Sequence, residues 1–245
     1  MDKIAVISDI HGNLPALEAV LEDIEARGIG TVHCLGDLIG KGPSSDKVID
    51  LVRRRCSSVV RGNWEDYFAR TADHDAASDA LRWQLSVIGG ERMAWIGALP
   101  FAIEFVLSGR LVRLFHASPR SVHERIQPWD GEERLRSLFE SSPECASPAA
   151  ADIAGYGDIH HAYVRHIEGR ALFNTGSVGH PLDHLPAASY AMLEGELGSE
   201  SAAPWSIQVV RVPYDIDRAV REAREAGLPK LAEYERELRS ARLIY

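Results

Sequence analysis

The sequence has few cysteines and no long apolar run, and each absence excludes a class of protein. Its 245 residues include only three cysteines, an odd number without Cys-x-x-Cys spacing, so neither a disulfide framework nor a thiolate zinc site is indicated. No segment approaches the roughly 18 consecutive apolar residues of a membrane-spanning helix, and no signal-peptide pattern opens the chain. We therefore expect a protein of the reducing cytoplasm without a membrane partner.

Basic residues are also scarce. The chain has 27 Lys and Arg against 36 Asp and Glu, which gives a net charge of -9. Because the affinity of proteins for nucleic acids comes largely from basic side chains that neutralise phosphates, polymeric nucleic acid is not an expected partner. A small substrate fits this charge better.

Length and composition favour one large domain. With 45% hydrophobic residues, a chain of this size can bury one substantial core. No linker rich in Gly, Pro or Ser divides it, and no internal repeat is present. We expect residues 1–245 to form a single domain.

The first part of the chain alternates short apolar runs with helix-period segments, a pattern typical of parallel strands joined by crossover helices. Asn13 is suited to cap the first helix, and Ser44 or Ser45 to begin the second. The three predicted strands are Ile4–Ser8, Thr31–Leu35 and Ser57–Arg61.

A helical insertion of about 64–100 follows, interrupted at Gly89 and Gly90 and containing the polar tract Thr71–Ser78. The next hundred residues are rich in strand patterns, and residues of about 215–244 predict two C-terminal helices. A βαβαβ half followed by a strand-rich half predicts an α/β fold, a four-layer αββα sandwich of two mixed β-sheets.

Side chains suited to bind metals stand directly after the predicted strands. Loops at the carboxyl ends of strands in an α/β sheet form the crevice where ligands bind, so we expect these side chains to meet there. Residues two apart in an extended chain point the same way, so Asp9 and His11 can reach one ion together. The complete set is Asp9, His11, Asp37, Asn63, His116, Asp158 and His160.

The order of these motifs is more specific than any one of them. The series D-x-H, GD, GN, a strand-terminal His and G-x-x-H resembles the calcineurin-like metallophosphoesterase superfamily over Ile4 to Tyr214. The segments GDLIGKGP, VRGN, FHASP, GDIHHAY, NTGSVGHP and RVPYD are similar to those of its compact bacterial phosphodiesterase and phosphatase members.

The resemblance implies a dinuclear metal site at the C-terminal edge of the strands. One ion would be held by Asp9, His11 and His160, and Asp37 would bridge to the second. The second would take Asn63, His116 and Asp158. This mixture of carboxylate, amide and imidazole suits divalent Mn, Fe or Zn.

The resemblance also implies that a metal-bridging hydroxide attacks a phosphodiester or an activated phosphomonoester. Asp37, Asn63 and His116 would then be the catalytic residues, and Lys41 and Asn63 would contact the substrate phosphate. A nucleotide-like ester is one such substrate. Lys41 stands where family members often have an aromatic residue, and its alternative interpretation is a solvated loop lysine.

Two further departures from the family pattern concern the site itself. Trp64 replaces the His of GNHD or GNHE that usually assists protonation of the leaving group; it is either a wall for an apolar leaving group or a cover over the insertion. Asp158 replaces the first His of GHxH, and alternatively only orients a neighbouring ligand. His161 and His180 are alternative proton donors. Because Trp64 cannot donate as an imidazole does, a non-catalytic metal-binding scaffold of the same fold is the second functional hypothesis.

Overall fold

A computed structural model describes residues 1–71 and 78–244 of the chain. Residues 72–77 of the predicted polar tract Thr71–Ser78 lie outside the described residues. The elements below are numbered in chain order.

The first half begins with the predicted alternation of strands and helices. Asn13 caps the first helix, since its side-chain oxygen accepts a hydrogen bond from the backbone N–H of Ala16 at 3.2 Å. Ser44 is the residue before the second helix. The elements are β1 (Asp2–Ile7), α1 (Leu14–Ala26), β2 (Thr31–Cys34), α2 (Ser45–Arg55) and β3 (Ser58–Val59).

The predicted helical insertion consists of separate helices in the described residues. The Ser78 hydroxyl caps one of them through the N–H of Leu81, and Gly89 ends it with φ of 75°, a conformation that glycine adopts without strain. The helices are α3 (Asn63–Thr71), α4 (Asp79–Ile88) and α5 (Gly90–Gly97).

The second half supplies most of the remaining strands and the predicted C-terminal helices. A single 3₁₀ turn, Ser137–Phe139, extends the helix before it. The elements are β4 (Ala102–Leu107), β5 (Arg110–Phe115), α6 (Glu132–Arg136), β6 (Ile153–Tyr156), β7 (Tyr163–Ile167), β8 (Arg170–Asn174), β9 (Ala188–Gly195), β10 (Ser206–Val212), α7 (Ile216–Glu225) and α8 (Leu231–Ser240).

The strands form two mixed sheets of five strands each. The first has the order β10-β9-β1-β2-β3, in which β1, β2 and β3 are parallel and β9 is antiparallel to both of its neighbours. The second has the order β4-β5-β6-β8-β7, in which β5, β6 and β8 are parallel and the edge strands run antiparallel. The predicted pair of mixed sheets is confirmed.

The two sheets pack face to face with helices outside them. Ile4 and Val6 of the first sheet lie in one apolar cluster with Leu114 and Phe173 of the second. The outer face of the first sheet packs against α1 and α2, together with residues of the insertion helices. The outer face of the second sheet packs against α6 and the 3₁₀ turn. This is the predicted αββα layering, with most of the helical mass on one side.

The cysteines are unpaired, and the helices are not of the membrane-spanning kind within the described residues. Cys34, Cys56 and Cys145 are free thiols. Within residues 1–71 and 78–244, no helix has both the length and the apolar character required to span a bilayer.

Candidate metal centre

The loops after β1 and β2 bring three of the predicted ligands together. Asp9 and His11 follow β1, and Asp37 follows β2. The backbone φ angles of these residues are 56°, 49° and 53°, in the left-handed region that residues other than glycine rarely adopt. Such strain persists only where the surrounding structure enforces it, and it concentrates at functional sites.

The second sheet supplies three more of the predicted ligands, again just after its strands, whereas Asn63 follows β3 of the first sheet. His116 follows β5, and the loop after β6 carries Asp158 and His160, with φ of 61° and 57°. The backbone N–H of Asp158 donates to Asp9 Oδ2 at 3.1 Å, so the loop from the second sheet is bonded directly to the loop from the first. The predicted convergence of residues from both halves of the chain is therefore present.

Each of the three histidines, His11, His116 and His160, is held through Nδ1 by a backbone carbonyl. The Nδ1 atoms of His11 and His116 lie 3.0 and 2.8 Å from the backbone carbonyls of Ile39 and Leu35. Nδ1 of His160 donates to the carbonyl of His180. A carbonyl can only accept, so Nδ1 carries the proton in each ring and Nε2 has a free lone pair. Ligand histidines are commonly held this way.

The free Nε2 atoms face carboxylates at the centre of the cluster. Nε2 of His160 lies 3.2 Å from Asp9 Oδ1 and 3.3 Å from Nε2 of His11. The Asp37 carboxylate spans the cluster, because its Oδ2 lies 3.5 Å from Nε2 of His11 and its Oδ1 lies 3.5 Å from Nε2 of His116. All five of these side chains are buried.

Two sets of ligand atoms within 4.8 Å of one another could each hold an ion: Asp9, His11 and His160, and Asp9, Asp37 and His116. The two groups share Asp9, whereas the sequence argument gave the shared position to Asp37. The Asp37 carboxylate contacts imidazoles of both groups, so its bridging role stays a prediction that this geometry accommodates.

The polar atoms at this centre fit divalent cations. Asp9 Oδ1 and His116 Nε2 are buried and have no hydrogen-bond partner among the described residues, which is costly for such atoms unless another group satisfies them. Burial raises the pKa of Asp37 well above its usual range, and the nearby charges of Glu65 and Asp9 raise it further. Bound divalent cations would relieve both the missing contacts and the repulsion between carboxylates.

The Asp158 carboxylate has two other partners. Arg125 donates from Nε to Asp158 Oδ2 and from Nη2 to Oδ1, each at 3.0 Å, and Asn63 Nδ2 donates to Oδ1 at 2.7 Å. Nε2 of His116 lies 3.8 Å from the same Oδ1. Asp158 and Asn63 thus lie beside the second group, while their assignment as metal ligands stays a prediction.

The first turn of α3 fixes the position of Asp37. Glu65 is fully buried and accepts hydrogen bonds at 2.8 Å from the backbone N–H groups of Asp37, Leu38 and Gly62. The N–H of Trp64 donates to Asp37 Oδ1 at 2.9 Å. A Cβ atom on Gly62 would lie only 2.2 Å from that same oxygen, so glycine is required there.

Lys41 and Trp64 lie at the rim of the centre. Together with Arg125, they line a cavity of about 390 Å³ whose lining also includes His11, Asp37, Asp158 and His160. The Trp64 ring packs edge-on against the imidazole of His11, with centroids 5.6 Å apart. Lys41 Nζ lies 4.0 Å from Glu237 Oε2 of α8. Lys41 is therefore close enough to contact a substrate at the centre, and its contact with the substrate phosphate stays a prediction.

The C-terminal helix reaches the centre through His180. Glu237, on α8, accepts a hydrogen bond from His180 Nε2 at 2.8 Å, and both residues are buried. Burial lowers the pKa of His180 to about 4, although the bond to Glu237 opposes this shift. Since the His180 carbonyl holds His160, the contact ties α8 to the ligand cluster. His161, the other alternative proton donor, contacts the exposed Trp129 at the cavity rim.

Three residues of the site were not predicted from the sequence: Arg125, Glu65 and Glu237. Glu65 had a local signal, because it follows Gly62-Asn63-Trp64 within the third motif. Arg125 and Glu237 had none, since each is one charged residue in a loop or helix without a recognisable motif. Only the folded chain brings them to the strand ends.

A comparison with known protein families gives a match to the calcineurin-like phosphoesterase superfamily domain over residues 2–197. An uncharacterized protein from Methanocaldococcus jannaschii is 33% identical, with 93% of this chain and 94% of the relative covered.

Solved structures show the same fold. The crystal structure of a metallophosphoesterase from Sphaerobacter thermophilus has a TM-score of 0.74 and 26% identity, and covers 98% of this chain and 99% of its own. A hypothetical protein from Pyrococcus horikoshii has a TM-score of 0.77 at 19% identity, over the full length of both chains. The fold, the order of the motifs and the domain match agree, and the chain therefore belongs to the calcineurin-like phosphoesterase superfamily.

Proposed function

We propose that the protein is a two-metal phosphoesterase that hydrolyses phosphodiesters or activated phosphomonoesters. The observation that carries the proposal is the convergence of three Nδ1-protonated imidazoles and the buried Asp9 and Asp37 carboxylates, with two buried polar atoms left unsatisfied. Members of this family generally bind divalent metals, which supports the same chemistry here.

The proposed ligand sets are those that the family resemblance implies, and the contacts of Asp37 with both groups of imidazoles are compatible with them. Asp9, His11 and His160 would hold one ion, and His116, Asn63 and Asp158 the other, with Asp37 between them. Divalent Mn, Fe or Zn, when bound, supplies a lowered pKa for water and positive charge for the phosphoryl oxygens. The protein's own contribution is to fix the imidazole tautomers through backbone carbonyls and to keep Asp37 in place through Glu65.

Three side chains are proposed to bind the substrate phosphate. Lys41 and Arg125 bring positive charge to a cavity that the Asp37 and Asp158 carboxylates also line. The Arg125 guanidinium is already paired with Asp158, and its fork also matches two phosphate oxygens. Asn63 donates to the same Asp158 carboxylate that Arg125 binds, and we propose that its amide contacts either a metal or the ester.

The proposed substrate is a small, nucleotide-like phosphate ester with a good leaving group. Trp64 is located beside His11, where the resemblance places a proton-donating imidazole, and an indole cannot supply a proton at neutral pH. Leaving groups of low pKa depart without a proton, so their esters should react fastest. The proposal includes a cytoplasmic location, supported by three free thiols, and a single domain over residues 1–245.

The test is a metal-dependent hydrolysis assay. Metal-free protein is reconstituted with Mn²⁺, Fe²⁺ or Zn²⁺ and incubated with bis-p-nitrophenyl phosphate, p-nitrophenyl phosphate, nucleotides and cyclic nucleotides. We expect turnover that requires metal and disappears in His116→Asn. The matched control is His166→Asn, which removes an exposed imidazole on β7 and should leave the rate unchanged. Bound metal without turnover of any ester would contradict the proposal and support the scaffold.

A further inference from the structure

A second cavity, of about 570 Å³, adjoins the metal centre. It lies between α3, α4 and α8, and its size is within the range of pockets that bury small organic ligands. Its walls are unusually aromatic for a chain with only 7% aromatic residues. The rings that line it are Trp64, Tyr67, Phe68, Trp83 and Tyr234.

This aromatic cavity shares two lining side chains with the cavity over the metal centre. Trp64 and Lys41 line both the aromatic cavity and the cavity over the ligand cluster. The centroid of the Trp64 ring lies 5.6 Å from the centroid of the His11 imidazole and 5.8 Å from that of the Phe68 ring. A ligand in the aromatic cavity would therefore be one ring away from a predicted metal ligand.

The position of Trp64 is fixed by the loop beneath it. Gly40 has φ of 82°, and a Cβ atom there would lie 2.3 Å from Trp64 Cε3, so the indole packs directly on the glycine backbone. Phe68 is buried next to it on the same helix. The wall between the two cavities is thus a built part of the fold.

Polar groups occur at the edge of the aromatic cavity. Lys41, Lys230 and Glu233 line it along with the rings. A planar heteroaromatic ring has apolar faces that stack on aromatic side chains and polar edges that accept and donate hydrogen bonds. Lys41 lies between the two cavities, where a substrate connecting them would carry negative charge.

We propose that the aromatic cavity binds the base of a nucleotide whose phosphate lies at the metal centre. The inference rests on the proposed phosphoesterase function, because it takes the metal centre as the site of the phosphate. It assigns Trp64 a role in substrate recognition, in the position where the resemblance implies a proton donor. The substrate class becomes small nucleotides in preference to sugar or alkyl phosphates.

Binding of adenosine and ribose to the metal-free protein tests this assignment without any catalysis. The two compounds differ only in the base, and a ligand the size of adenosine should bind with Kd on the order of 0.1 mM. By calorimetry or ligand-observed NMR, we expect saturable binding of adenosine and none of ribose. Absence of saturable adenosine binding up to about 2 mM, or equal binding of ribose, would overturn the inference.

Variants that fill the aromatic cavity localise the binding. Ala80→Trp places a large side chain into the cavity from α4, and should weaken adenosine binding by about tenfold or more. Ser86→Trp, on an exposed position of the same helix, is the matched control and should bind as the wild type does. Ala80→Leu, a smaller change, should give an intermediate loss if the tryptophan variant fails to fold. Unchanged binding in correctly folded Ala80 variants would place adenosine elsewhere and contradict the inference.

Hydrolysis of the p-nitrophenyl esters of AMP and of ribose 5-phosphate separates this inference from the proposed function. Both are phosphodiesters that release the same p-nitrophenolate, so a difference in kcat/KM reports on the base. We expect a preference for the AMP ester of about tenfold or more, which disappears in Ala80→Trp and persists in Ser86→Trp. Equal rates, with turnover of bis-p-nitrophenyl phosphate retained, would overturn the inference alone. Absence of turnover with every ester would instead contradict the proposed function, and adenosine binding would still decide the inference.

Discussion

Asp37 is the residue on which the two halves of the cluster depend most. Its carboxylate contacts imidazoles from both ligand groups, and burial together with Glu65 and Asp9 raises its pKa in the metal-free protein. Because nearby cations favour the ionised form of a carboxyl, ionisation of Asp37 is linked to metal binding.

We expect Asp37→Ala to lose nearly all activity and most of one bound metal, because a shared carboxylate is removed. Elemental analysis of the reconstituted variant checks the metal, and ester hydrolysis checks the activity. Asp217→Ala, a change at an exposed carboxylate of α7, is the control. Retention of two metals per chain in Asp37→Ala would show that the bridging assignment is wrong.

His180 gives the metal-free protein a pH-dependent stability. Its pKa falls from 6.5 to about 4 on folding, chiefly because it is buried. As the pH drops below 6.5, His180 becomes protonated in the unfolded chain, whereas in the folded chain it stays neutral until about pH 4. Stability is therefore lost through this window as the pH falls.

His180→Gln should remove this contribution. Between pH 7 and pH 5 the free energy of unfolding should fall by about 2 kcal/mol less in the variant than in the wild type. Urea unfolding in the presence of a chelator measures both values. His166→Gln, at an exposed site, should keep the wild-type pH dependence; an identical dependence in His180→Gln would show that His180 is not excluded from protonation in the folded state.

At the scale of single elements, the first turn of α3 organises the neighbouring loop. Glu65 accepts from three backbone N–H groups, two of them in the loop after β2. Replacing Glu65 with Gln turns one acceptor oxygen into an NH₂ donor that faces backbone donors, and at least one buried N–H loses its partner.

Glu65→Gln should therefore destabilise the protein by about 2 kcal/mol, measured by urea unfolding. It should also weaken metal binding, because Asp37 belongs to the loop that Glu65 holds. Glu91→Gln on α5 is the matched control, since that side chain is 84% exposed and its loss should change stability by less than about 0.5 kcal/mol. A stability loss of equal size in both variants would argue against the proposed role of Glu65.

The sequence predicted the elements well where local signals existed. Apolar runs and the Asn13 cap located β1, α1 and β2, because burial of those residues in one sheet imposes a clear pattern. The positions of the candidate ligands just after the strands were predictable for the same reason. Arg125 and Glu237 were not, because their contacts join residues separated by 33 and 57 positions in the chain. No local pattern encodes such pairs.

At the scale of the whole molecule, the last helix, α8, reaches the site although it follows the residues matched to the family domain. The match to the family domain ends at residue 197. Glu237 of α8, beyond that point, accepts a hydrogen bond from the His180 side chain, and the backbone carbonyl of His180 accepts one from His160. A single domain over residues 1–245 predicts that α7 and α8 unfold together with the sheets.

Urea unfolding followed by far-ultraviolet circular dichroism and by tryptophan fluorescence tests this cooperativity. Coincident transitions are expected, because the circular dichroism reports on all helices and Trp83 packs against the cluster formed by α7 and α8. Separate transitions for the two signals would show that the C-terminal helices form an independent unit.

The proposed two-metal mechanism requires that hydrolysis depend on two bound ions held by one cluster. The most direct measurement is the rate of bis-p-nitrophenyl phosphate hydrolysis as Mn²⁺ is titrated into the metal-free protein, with bound metal per chain determined in the same samples. We predict little turnover through the first equivalent and a rise that saturates at the second. A full rate at one equivalent, or two bound ions without turnover, would contradict the account.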